Sequence, residues 1–300
     1  MIAEGRMSST RRDFLKASLA ATALPAVAGA AVSTKAAATD WVTLGKSNVQ
    51  VTRLAFGTGT HSGAQQRHLG QDEFTRLVRY AYDNGIRFFE TADAYHDMPE
   101  MLSVALKGLP RDSYRLMTKY DVHHSEDPTA AVHRLNAALG TDYVDIMLLH
   151  CVRSPNWPEE TKHLQDAFQE AKEKKLMMAH GASVHGKQAL AAFPGNPFLD
   201  VAMIRMNHNG TRMDTPSTQD IDEKGDVPYV VDHMRRTKAG GAGIISMKLV
   251  GEGRFKNPDD RQAALNFAFR KVGVDCVTIG FGSKGEIDEA IKRMATALNA

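Results

Sequence analysis

From Arg53 onward the chain alternates short apolar runs with longer segments of helical spacing, eight times over, and few folds accept that rhythm. The runs are Arg53–Phe56, Ile86–Glu90, Tyr114–Lys119, Val144–Leu149, Met177–His180, Val201–Met206, Ala242–Met247 and Cys276–Ile279. They read as continuous apolar stretches, the pattern of strands buried on both faces of a parallel sheet. The intervening segments are Asp72–Asn84, Pro99–Leu106, Pro128–Leu139, Glu159–Lys174, Lys187–Ala192, Val227–Lys238, Pro258–Lys271 and Glu286–Leu298. In the first of them Phe74, Leu77, Val78 and Tyr82 form an apolar stripe, and Asn84-Gly85 supplies a stop. Eight such units predict a closed parallel barrel with helices outside, the (β/α)8 or TIM architecture. Val42–Leu44 and Val49–Val51, joined by a glycine-containing turn, predict an antiparallel hairpin ahead of it. A doubly wound open sheet is the alternative, but no GxGxxG follows the first strand.

The 300 residues are 43% hydrophobic, enough for one large domain. Ser9-Thr10-Arg11-Arg12-Asp13-Phe14-Leu15-Lys16, followed by the mildly apolar tract Ala17–Ala31, has the layout of a twin-arginine export signal. This divides the chain into a signal and spacer, 1–38, and a barrel, 39–300, with small-residue cleavage sites after Ala30 or Ala38. The tract is too weakly apolar for a stable membrane span. The expected partner is therefore the twin-arginine translocase and the expected location the periplasm or another exported one. That route carries folded proteins, so a non-covalent cofactor would be loaded in the cytoplasm. Residues 1–38 hold five basic and two acidic side chains, so of 37 and 35 there remain 32 and 33. A nearly neutral chain has no basic face for nucleic acid. Cys151 and Cys276 lie inside or beside apolar strands, which predicts buried structural thiols and excludes a cysteine-ligated cluster. His61 and the pair His123-His124 match no standard metal spacing, and no metal site is expected.

In such barrels chemistry sits at the carboxyl ends of the strands. The polar groups there are Glu90 and Tyr95 after the second strand, Lys119 after the third and His150 after the fourth. Singly, each has an ordinary structural explanation: a solvated lysine, a satisfied core histidine, a glutamate bound to backbone. Together they can protonate a carbonyl oxygen, with Tyr95 as acid, Lys119 lowering its pKa, Glu90 fixing the lysine and His150 orienting the substrate. The loops Cys151–Glu159 and Asn207–Gly225 are expected to line the substrate pocket.

Glu90-Thr91-Ala92-Asp93-Ala94-Tyr95, Lys119 in Leu116-Met117-Thr118-Lys119 and His150 in Asp145-Ile146-Met147-Leu148-Leu149-His150 resemble the signature of the aldo-keto reductases. The likeness runs from the hairpin and Leu54-Ala55-Phe56-Gly57-Thr58-Gly59-Thr60 to the last helix. It implies NAD(P)H-dependent reduction of a small-molecule carbonyl, aldehyde, ketone or sugar, or the reverse, with the dinucleotide bound extended. Carried over residue by residue, Gly59 and Thr60 adjoin the cofactor, Ser183 contacts the nicotinamide amide, Arg205 and His208 stand where glutamine and a stacking tyrosine are usual, and Met247, Lys248 and Leu249 begin the loop over the pyrophosphate. Ser283 and Lys284 fall on the 2′-phosphate pocket and Glu289 on the adenine, which favours NADP(H) over NAD(H). Three positions depart from the pattern: Glu90 replaces an aspartate, Val184 an asparagine beside Ser183, and Ala290 an asparagine beside Glu289. They motivate an alternative, a nucleotide- or ligand-binding barrel with weak catalysis. A Schiff-base aldolase using Lys119 is a third reading, one that leaves Tyr95 and His150 without clear partners.

Overall fold

The computed structural model describes residues 35–215 and 223–300, so the export signal lies outside the described residues. Two antiparallel strands, β1 (Trp41–Thr43) and β2 (Gln50–Thr52), precede the barrel. Its strands are β3 (Leu54–Gly57), β4 (Phe88–Glu90), β5 (Arg115–Asp121), β6 (Val144–Val152), β7 (Met177–Val184), β8 (Val201–Arg205), β9 (Gly243–Met247) and β10 (Cys276–Gly280). They pair in parallel and in chain order, and β10 closes on β3. The helix that follows each strand on the outside is, in turn, α1 (Gly70–Asp83), α2 (Met98–Leu106), α3 (Pro128–Ala138), α4 (Lys162–Glu173), the single turn α5 (Lys187–Leu190), α6 (Val227–Ala239), α7 (Pro258–Asn266) and α8 (Lys284–Asn299), with further single turns at Ala64–Arg67 and Trp157–Glu160. Proline in the first turn and an acceptor side chain before it start three of them: Asp127 receives the Ala130 N–H, Asp226 that of Tyr229 and Asn257 that of Asp259.

The two-residue period of the strands separates two cores. Outward residues such as Phe56, Phe89, Leu116, Met147, Leu149, Ile204, Ile244 and Val277 pack under the helices. Inward ones, Ala55, Phe88, Met117, Ile146, Leu148, Ala179, Val201, Met203, Ile245 and Cys276, fill the barrel together with Leu44, Val49 and Val51 of the hairpin. The hairpin thus plugs the amino-terminal floor. Gly45 makes this possible: it bridges Ala242, its φ is 49°, and a Cβ there would stand 2.2 Å from the Gly241 carbonyl oxygen.

Several boundaries differ from the sequence expectations. The segment Glu159–Lys174 breaks at Thr161 into a turn, Trp157–Glu160, and α4. The segment Pro258–Lys271 is α-helical only to Asn266 and ends in a wider π turn, Phe267–Val272, closed by Gly273 at φ 80°. In α1 the fourth buried residue is Ala81, since the Tyr82 hydroxyl reaches outward to Ser113. The compact unit begins at Lys35: Ala38 is buried in the outer core and its carbonyl accepts the Leu54 N–H at 2.9 Å. Among the described residues no helix is long and apolar enough to cross a membrane.

Candidate active site

Following each inward row of side chains to the carboxyl end of its strand, the apolar filling gives way to polar groups. Phe88 is succeeded by Glu90, Met117 by Lys119, Leu148 by His150, Met203 by Arg205 and Cys276 by Thr278. Lys119 is fully buried, and its ammonium donates to a Glu90 carboxylate oxygen and, at 2.7 Å, to the Thr91 carbonyl. The second Glu90 oxygen accepts from the Thr278 hydroxyl at 3.2 Å. Burial pulls the Lys119 pKa down while the Glu90 charge opposes the shift.

Tyr95 ends the short turn Asp93–Tyr95, and its ring lies beneath the lysine, whose nitrogen is 4.8 Å from the ring centroid. The close approach of the ring to the first loop requires a glycine: a Cβ on Gly59 would sit 2.6 Å from the Tyr95 hydroxyl. Both ends of the turn are held by arginines. Arg134 of α3 donates to the two Asp93 carboxylate oxygens at 2.8 and 2.9 Å, and Arg67 donates to the Tyr95 carbonyl at 3.1 Å. Burial raises the Tyr95 pKa well above 10, and the nearby Glu90, Cys151 and Glu252 raise it further. Lys119, paired with Glu90, is not among the groups that set this shift, and burial first of all holds the phenol protonated. The His150 ring meets Tyr95 edge-on at 5.5 Å, and burial, then Lys119, Lys248 and Arg153, drive its pKa well below 6.5. This histidine is a neutral imidazole at neutral pH.

A cleft leads from Glu90 and Tyr95 past Gly57, Gly59 and Thr60 and under Met247, Lys248 and Leu249 to Glu289 and Arg293. Glu252, whose φ of 53° turns it back over the cleft, accepts from Lys248 and Arg212. Burial alone would raise its pKa, but the two cations win and bring it to about 2. At the outer end Arg261 and Arg293 both donate to one Glu289 oxygen, at 2.8 and 2.6 Å, and Lys256 lines the same wall.

The sequence profile of the Aldo/keto reductase family matches residues 53–266, which run from β3 through α7 and include Glu90, Tyr95, Lys119 and His150. The chain belongs to the aldo/keto reductase family. A second profile, that of the twin-arginine translocation signal, matches residues 8–28. "Probable aldo-keto reductase 1" of Glycine max is 28% identical over 51% of this chain and 48% of its own length. Aldo-keto reductase AKR2E4 of Bombyx mori is 22% identical over 54% and 56%. The chain thus spans about half the length of these curated relatives. In fold it is similar to aldo-keto reductase AKR11C1 of Bacillus halodurans in its holo form, at a TM-score of 0.63, 19% identity and coverage of 85% and 90%.

Within this member of the aldo/keto reductase family, Glu90, Tyr95, Lys119 and His150 meet at one mouth. Gly59, Thr60, Met247, Lys248, Leu249 and Glu289 line the cleft. The remaining expected cofactor residues do not. Ser183 is buried and its hydroxyl accepts the Cys151 N–H at 2.9 Å. Arg205 contacts His185 and faces Asp214 at 3.7 Å. His208 packs against Phe255 at 5.3 Å. Ser283 caps α8 by accepting the Glu286 N–H, and Lys284 lies 5.1 Å from the Tyr80 ring centroid. The cationic wall of the cleft is instead Lys256, Arg261 and Arg293, which come from different elements and carry no shared motif. One further expectation changes: Cys151 is half-buried, unlike Cys276. His124, Asp93 and Glu126 lie close together, and Arg134 donates to both carboxylates.

Proposed function

We propose that this chain is an exported NAD(P)H-dependent oxidoreductase that interconverts a carbonyl, in an aldehyde, ketone or sugar, and the alcohol, with NADP(H) favoured over NAD(H). The observation that carries the reading is the protonated Tyr95 at the head of a long cleft, between the Lys119–Glu90 pair and neutral His150. The donor set fits an extended dinucleotide: Met203, Leu249, Phe255 and Leu265 give apolar wall, and Lys256, Arg261 and Arg293 give positive charge at the outer end, where a 2′-phosphate would be held. A bound nicotinamide supplies or takes up hydride at the carbonyl carbon. Tyr95 gives its proton to the carbonyl oxygen in reduction and recovers it in the reverse direction. His150 donates a hydrogen bond that orients the same oxygen. Lys119, kept charged by Glu90 and the Thr91 carbonyl, lowers the cost of negative charge growing on the Tyr95 oxygen.

The export signal supports passage by the twin-arginine route, and we place the mature protein in the periplasm. Cleavage after Ala30 leaves the core intact, whereas cleavage after Ala38 would remove a buried residue and the Leu54 hydrogen bond. The test is titration of cytoplasmic, folded protein with NADPH and NADH, followed by a carbonyl panel assayed by nicotinamide absorbance. Binding of NADPH, turnover of a carbonyl and a roughly 10²- to 10⁴-fold loss in Tyr95→Phe are expected. Absence of binding by either dinucleotide refutes the reading.

A further inference from the structure

The strand β6 does not end where its apolar run ends. Leu149 pairs with Ala182 and Val152 with Val184, so three steps on β6 match two on β7. Cys151 takes up the surplus at φ 61°, a conformation that re-aims a side chain beside a site. His150 and Cys151, which strict alternation would send to opposite faces, are both felt at the mouth: the Cys151 sulfur acts on Tyr95 and on Lys119. Two residues on, Arg153 is exposed, and its Nε and Nη2 both lie 3.3 Å from that sulfur. That edge donates to the sulfur and tethers the guanidinium near His150 and His185, on which its charge acts.

The charge inventory of this rim is uneven. Lys119 is paired with Glu90, Lys248 and Arg212 with Glu252, and Arg205 faces Asp214. Arg153 alone of these cations has no carboxylate partner among the described residues, and its charge reaches His150 and His185. An exposed guanidinium tethered next to His150 with no acidic partner keeps donors of its planar fork for a carboxylate.

We infer that Arg153 is a specificity residue and that the preferred substrates are oxo acids, carbonyl compounds carrying a carboxylate a few bonds from the reacting carbon. This rests on the carbonyl oxidoreductase reading above. The test compares kcat/KM for 4-oxobutanoate and its methyl ester in the parent, in Arg153→Met and in Arg153→Lys. The parent should favour the acid by about tenfold or more, Arg153→Met should bring the ratio near one, and Arg153→Lys should keep part of the preference. Equal use of acid and ester by the parent, or a ratio unchanged in Arg153→Met, overturns the inference. Calorimetric titration with succinate separates the two levels. If neither dinucleotide binds, the oxidoreductase reading fails on its own, and the inference then stands on succinate binding that weakens about tenfold in Arg153→Met. No succinate binding to the parent overturns it.

Discussion

Arg134 holds Asp93 through two parallel hydrogen bonds of 2.8 and 2.9 Å, and Asp93 opens the turn that Tyr95 closes. A helix outside the barrel is thereby tied to the candidate proton donor. Arg134→Gln removes the fork without adding bulk, and displacement of a reacting group by about 1 Å costs on the order of a hundredfold. We expect kcat to fall roughly ten- to a hundredfold with little change in dinucleotide affinity, in steady-state kinetics beside a binding titration. Arg134→Lys should restore only part, because a point charge cannot make both bonds.

Glu90 and Lys119 form an ion pair almost wholly removed from water, with side-chain exposures of 4% and 0%. Removing one partner of such a pair leaves a buried charge and costs about 3–5 kcal/mol. Glu90→Gln should lose that much in urea unfolding. The double variant Glu90→Gln/Lys119→Met should recover most of the stability while remaining inactive, which separates the pair's structural cost from its part in proton transfer.

Acid should destabilise the fold before carboxylates are reached. His150 and His185 have folded pKa values well below 6.5, through burial first and neighbouring cations second. The unfolded chain therefore binds more protons as pH falls below about 6.5, and their contribution, present above that pH, drains away beneath it. Glu252 acts lower: its stabilisation is present above its unfolded value and is lost as pH falls toward about 2. Thermal unfolding between pH 7 and 5 should show a decline that is shallower in His150→Gln. Reduction, which uses protonated Tyr95, should keep its rate into alkaline solution.

The outer end of the cleft offers a test of cofactor preference. Arg261 and Arg293 share one Glu289 oxygen, so a 2′-phosphate would meet two guanidinium groups and Lys256. Arg261→Ala should weaken NADPH by about tenfold while moving NADH much less. Fluorescence titration with both nucleotides reads the ratio directly.

How much of this was legible beforehand follows from what a one-dimensional pattern can carry. Continuous apolar runs carry the barrel, and the two-residue period beyond Phe88, Met117 and Leu148 carries Glu90, Lys119 and His150 to one mouth. The cationic wall is different. Arg261 lies on α7 and Arg293 on α8, and only packing of those helices brings them to one oxygen. Ser283 and Lys284 sit where a motif suggests phosphate, yet a serine just ahead of a helix is equally suited to cap it, and here it does. The extra residue at Cys151 was invisible because a bulge changes register without changing composition. The direction of the Tyr95 pKa shift is carried first by the burial of its ring, which a one-dimensional pattern does not express.

The hairpin that plugs the floor makes the barrel a cup instead of a pipe. Leu44, Val49 and Val51 are committed to the base, and the residues proposed to choose and handle a substrate stand at the rim, one strand length away. Durability and selectivity are thereby assigned to separate addresses on the chain. Rim loops can be exchanged, by evolution or by engineering, without touching the side chains that keep the cup closed beneath them.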